Sequence, residues 1–142
     1  VGGPAVPGAP RHVLTLPPSV RVYLATAPVD MRRGHDGLMA IVKNEWALDP
    51  FGGQIFVFVG RQLDRAKLLY FDRGGFVLVY KRLERGRFRL PQVRPGDPTV
   101  LLDGLQLAML LDGIDFTRVR RPPGWAPGEP SINGRIDRVM RT

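Results

Sequence analysis

The sequence predicts a single small α+β domain: a mostly antiparallel sheet containing a β-hairpin, two helices packed against it, and flexible N- and C-terminal tails. Three observations carry that reading. Short β-rich runs recur at Val20, Gln54, Ala66 and Phe76, and two other stretches carry apolar residues at helical spacing. The 142 residues suffice for one domain of ordinary size and not for two.

The elements follow in order. Val20 to Thr26 (VRVYLAT) alternates and is rich in β-formers, so it reads as a strand after a Pro17, Pro18 corner. A helix comes next. Its apolar positions are Leu38, Ile41, Val42 and Trp46, Asp36 caps its first turn where the dipole favours an anion, and Asp49 and Pro50 stop it. Gln54 to Val59 (QIFVFV) is apolar on both faces, as a central strand covered on each side would be.

Ala66 to Phe71 and Phe76 to Leu83 form a hairpin around Asp72, Arg73, Gly74 and Gly75. With that four-residue loop, Phe71 faces Phe76, Leu69 faces Leu78, Lys67 faces Tyr80 and Arg65 faces Arg82, all on one side of the ribbon. The last element is a helix over Leu105 to Leu111. Asp103 and Gln106 form a capping box before it, Gly113 closes it, and Leu107, Leu110, Leu111 and Ile114 make its core-facing stripe.

Residues 1–12 (VGGPAVPGAPRH) read as a flexible leader, 13–117 as the folded domain, and 118–142 as a basic Pro/Gly-rich tail. In the tail only a short turn of helix near Ile136 and a docking role for Trp125 are expected. The longest apolar runs, Ile55 to Val59 and Phe76 to Tyr80, fall far short of the roughly 20 residues that span a bilayer. The leader lacks a signal-peptide block. The expectation is a cytoplasmic protein with no membrane partner.

Chemistry is limited by what is missing. There is no cysteine, which removes thiolate metal sites and cysteine nucleophiles, and only His12 and His35 are available as histidines. Gly52, Gly53, Gly74 and Gly75 do not make a phosphate-loop pattern, so no nucleotide cofactor is implied. Asp30, Asp36, Asp64, Asp72, Glu84, Asp112 and Asp115 could in number supply a two-metal site, but Asp36 and Asp72 have helix and turn roles and Asp64 and Glu84 have arginine neighbours. The reading is of a non-enzyme without a catalytic residue, metal or cofactor.

The net charge is +8, and 18 of the 21 basic residues are arginine, whose planar fork suits phosphate. A GC-rich genome would also enrich arginine, so location decides. Residues 61–94 hold ten basic and three acidic side chains, +7, against +1 for everything else. A genome-wide bias would not gather the surplus in one stretch.

Two places in this pattern could meet a polyanion. Arg32 and Arg33 sit in a glycine-containing turn at a helix start, where amides and guanidiniums together suit a phosphate; the bland alternative is a capped helix with solvated arginines. Arg65, Lys67, Lys81, Arg82, Arg85, Arg87 and Arg89, interleaved with Tyr70, Tyr80 and Phe88, cluster at the hairpin base and its exit. That strip could lie in a groove or stack on unpaired bases, or be a solvated basic face. Arg65 opposite Arg82 is repulsive unless an anion intervenes, either Asp64 or Glu84 or an external phosphate.

The strings DMRRGHDGL (30–38), IFVF (55–58), LDRAKLLYFD (63–72), YKRLERGRF (80–88) and LLDGID (110–115), in that order, resemble the TnpB-type accessory protein of insertion sequences of the IS66 family, encoded by the element's second reading frame. The resemblance runs from about Leu14 to Phe116. The chain departs from the usual pattern at Gln62 and Leu63, where arginines are common, and at Phe71 and Leu90, where tryptophan is usual; family members also tend to begin near Val13. The resemblance implies an accessory needed for transposition beside a separate transposase. Its partners are then element DNA, the transposase, or both, and the competing reading is a protein-protein adaptor with no DNA affinity of its own.

Overall fold

Strand formation is clearest where both faces of a run are apolar. In the computed structural model, which describes residues 16, 17 and 19–118, Ile55–Val59 (β2) is buried at all five positions. Val57 and Val59 pack on one side, Phe56 and Phe58 on the other. The expected leader, Trp125 and the turn near Ile136 lie outside the described residues.

Around β2 the sheet is built from Val22–Ala25 (β1), Arg65–Asp72 (β3), Gly75–Arg82 (β4) and Thr99–Leu102 (β5), in the order β4-β3-β2-β1-β5. Three pairings are antiparallel, and β1 with β2 is parallel. Parallel neighbours need a long crossover, and the helix after β1 supplies it. The sequence reading lacked β5. Its four residues pair antiparallel with β1 and cover that strand's outer edge.

The hairpin has the register expected of it: Arg65 opposite Arg82, Lys67 opposite Tyr80, Leu69 opposite Leu78, Phe71 opposite Phe76. Its loop is shorter than expected. Asp72 pairs with Gly75, leaving Arg73 and Gly74 at φ +48 and +84 as a two-residue turn. Positive φ at both central residues matches the right-handed twist of the flanking strands. Phe51, Phe71 and Phe76 close the turn end in an edge-to-face triangle with centroids 5.0 to 5.3 Å apart.

The helices lie on opposite faces of the sheet. His35–Ala40 (α1), continued by a wider turn over Ile41–Glu45, buries Leu38, Ile41 and Val42, and Trp46 stacks on Phe58 at 5.1 Å. Its N-cap is Gly34 with no side-chain cap, so Asp36 lies in the first turn without the capping role expected of it. Gly104–Leu111 (α2) starts at the expected capping box, with Gln106 N–H donating to Asp103 Oδ1 at 2.8 Å and Asp103 N–H to Gln106 Oε1 at 2.9 Å. Leu107, Leu110 and Leu111 are buried against β1, β2 and β5 residues. Ile114 is 44% exposed and leaves the expected stripe, because the chain has already turned out of the helix at Gly113, φ +73.

Candidate nucleic-acid interface

Alternation along the hairpin sends its two lysines to opposite faces of the sheet. Lys67, on the α1 face, donates from Nζ to the carbonyls of Met31 and Arg33, each at 2.7 Å. Lys81, on the α2 face, donates to the Leu111 carbonyl at 2.6 Å, with Asp112 Oδ1 at 3.7 Å. Each ammonium therefore ties the hairpin to the helix layer on its own side, and Lys81 does so at a helix C-terminus, where a cation is favoured. Both were expected as candidate phosphate contacts, and in the structure both ammoniums donate to backbone carbonyls of the same chain.

The opposed arginines find carboxylates of the same chain. Arg82 Nε donates to Glu84 Oε2 at 3.0 Å. Arg65 Nε is 3.9 Å from Asp64 Oδ1, too long for a hydrogen bond, and both atoms are buried without a hydrogen-bond partner among the described residues. In the turn before α1, Arg32 grips Asp30 through both carboxylate oxygens, at 2.8 to 3.2 Å. The Arg32 side chain and amide hold the Asp30 carboxyl well below the usual carboxylate range, and Asp30 in turn raises the Arg32 pKa. Arg33 is exposed and has no ion-pair partner among the described residues.

The chain leaving β4 is different. Leu83 N–H donates to the Asp64 carbonyl at 2.7 Å and Phe88 N–H to the Leu63 carbonyl at 2.6 Å, so the loop is tied at both ends to the turn between β2 and β3. Between those ties, Gly86 takes φ +76. Phe88 is fully buried in the α2-side core, which removes it as a base-stacking candidate. The inward turn of Phe88 leaves Arg87 and Arg89 outward on either side. Arg85, Arg87 and Arg89 are all exposed and have no carboxylate within ion-pair distance among the described residues. Tyr70 is partly buried against the same core, whereas Tyr80 is exposed.

These pieces share one end of the sheet. A cleft of about 370 Å³ joins the Arg32 turn to the hairpin base, lined among others by Arg32, Arg61, Asp64, Arg65 and Tyr80. Arg61, Gln62 and Asp64 also line a second depression with Arg85 and Arg87, and Arg87 and Arg89 line a third with Asp115 and Thr117. The two stretches that the sequence singled out separately thus form one arginine-rimmed track. Arg61, which the sequence does not set apart from the other basic residues of 61–94, stands at the junction of the first two depressions, next to Gly60 in the turn after β2. Gly60 is needed there, since a Cβ would lie 2.6 Å from Met31 Cγ.

Among the described residues, no group of three or more His, Asp or Glu side chains is placed to hold a metal, and no helix is long and apolar enough to cross a membrane. A five-stranded sheet between two short helix layers, with arginines around one end, defines a small basic α+β domain. The chain belongs to the family of IS66 Orf2-like proteins, whose family model matches residues 20–121. It is similar to two proteins of Sinorhizobium fredii, both named as uncharacterized. One, y4jC, is 40% identical over 73% of this chain and 87% of the relative; the other, y4hO, is 38% identical over 77% and 91%. No solved structure matches the chain.

Proposed function

We propose that this protein is a non-enzymatic accessory of transposition, acting in the cytoplasm on the DNA of its insertion sequence through phosphate contacts along the arginine track. The observation that carries the reading is the loop after β4. Arg85, Arg87 and Arg89 project from a backbone tied down at Leu83 and Phe88, and no carboxylate among the described residues lies within ion-pair distance of them. A fixed row of guanidiniums suits the phosphate backbone, whose recognition is electrostatic and carries no sequence information by itself. Arg61 and Arg33 extend the row, and Arg65, Arg82 and Arg32 contribute the donors their carboxylates leave over. Membership of the IS66 Orf2-like family supports the transposition setting.

The test is a salt-titrated binding measurement on terminal-repeat and unrelated duplex DNA, with and without the transposase of the element. Binding to both duplexes, with affinity falling steeply as salt rises, is the expected result. Replacing Arg85, Arg87 and Arg89 by alanine should weaken both DNAs alike and flatten the salt slope by about three units, one per lost contact. Binding that appears at physiological salt only when the transposase is present would favour the adaptor reading, in which the track meets an acidic protein surface.

A further inference from the structure

We propose that the cleft beside Tyr80 receives an unpaired nucleotide, so that the protein prefers single-stranded or frayed DNA over intact duplex; this rests on the DNA-binding reading above. The cleft, about 370 Å³, falls in the range of roughly 300–1,000 Å³ that encloses small ligands. Tyr80 is 52% exposed at its edge. The ring is also supported: the Lys67 ammonium lies 5.4 Å from its centroid and is itself fixed by the Met31 and Arg33 carbonyls. A held aromatic ring among arginines is the arrangement that stacks on a base while cations take the flanking phosphates.

The walls discriminate further. A duplex presents phosphates to such a surface and keeps its base faces covered by their neighbours, so a tyrosine ring gains nothing from it. An extruded base offers a bare face, and its edge carries donors and acceptors together. The cleft matches that mixture, with arginine donors beside the Asp64 carboxylate; Asp64 Oδ1 and Arg65 Nε are buried against each other at 3.9 Å, but the two side chains remain 32% and 42% exposed.

The experiment compares a labelled single strand of about 15 nucleotides, within the range such sites cover, with the blunt duplex of the same sequence, by fluorescence anisotropy on the full chain. The single strand should bind more tightly. Tyr80→Ala should weaken it about tenfold while leaving the duplex within about twofold, and Tyr80→Phe, which keeps the ring, should retain the single-strand affinity. A wild-type preference for duplex, or a Tyr80→Ala loss that is absent or equal on both DNAs, would overturn the proposal. Loss of binding on both DNAs in the Arg85, Arg87, Arg89 variant, with Tyr80→Ala silent, would overturn it while leaving the proposed function standing; no binding by the wild type to either DNA would remove both.

Discussion

Lys67 and Lys81 on the hairpin strands differ from Arg85, Arg87 and Arg89 on the loop after it in what their charges face. The lysines point along the pleat into helix layers that carry backbone carbonyls, and both end on internal acceptors. The loop arginines flank a phenylalanine that takes the inward position, so they are left facing solvent. Both regions are basic along the sequence. What separates them is the side of the backbone each residue occupies, and that is decided by the apolar neighbour that must be buried.

The comparison is broken most severely at Phe88. Its ring anchors the loop to the α2-side core, and truncation of a buried phenylalanine costs about 3–5 kcal/mol. Phe88→Ala should therefore lower the midpoint of thermal unfolding by well over 10 °C, a large part of the stability of a small domain. It should also weaken DNA binding although no charge is removed, because the arginines on either side lose their fixed backbone. Thermal melts and anisotropy on the same variant check both. A stable variant with unaltered DNA affinity would mean that the loop is held by its two backbone hydrogen bonds alone.

A smaller effect, of opposite character, is expected at Lys67. Lys67→Met keeps much of the side-chain stem but removes two charge-assisted hydrogen bonds to the turn before α1. A hydrogen bond from a charged group contributes about 1.5–3 kcal/mol, and because the two bonds share one partly exposed ammonium they should together contribute about 2 kcal/mol, with a melting point about 10 °C lower on their loss. The salt slope of duplex binding should stay near the wild-type value, since this ammonium is not offered to phosphate. A normal melt with a flattened salt slope would reverse the assignment and return Lys67 to the interface.

How far the sequence could reach is clear from these same residues. The hairpin register was legible because strict alternation and two turn glycines leave one way to place Phe71 against Phe76 without exposing the apolar face. The capping box of α2 was legible because its signal is local, three residues wide. The strand β5 was not, because four residues ahead of a helix carry too short a pattern to stand out from a loop. The fate of the cations was least legible. Lys67 meets carbonyls 34 and 36 residues away and Lys81 one 30 residues away, contacts that exist only once both helix layers have docked. The family resemblance was readable for the complementary reason: each of its strings is local, lying in β2, in the hairpin and the loop after it, or where a turn meets α1 or α2.

The smallest expected effect concerns Arg32, which stands between the two classes: exposed like the loop arginines, yet gripped by Asp30. Asp30→Asn removes the opposing charge while retaining an amide that can still accept a hydrogen bond. The freed guanidinium should steepen the salt slope of DNA binding by about one unit, with little change in the melt, because exposed ion pairs contribute little to stability. The sign of the pH dependence sharpens this. The folded-state pKa of Asp30 is depressed below its ordinary value of 3.8, so the pair is intact above that value and is lost only as pH falls through the lower, folded-state value. Between pH 7 and pH 5 the wild type cannot release Arg32 by protonation, and the difference in slope between Asp30→Asn and wild type should be the same at both ends of that range. A difference that vanishes towards pH 5 would mean that Asp30 already protonates there and that its hold on Arg32 is weaker than the two-oxygen geometry implies.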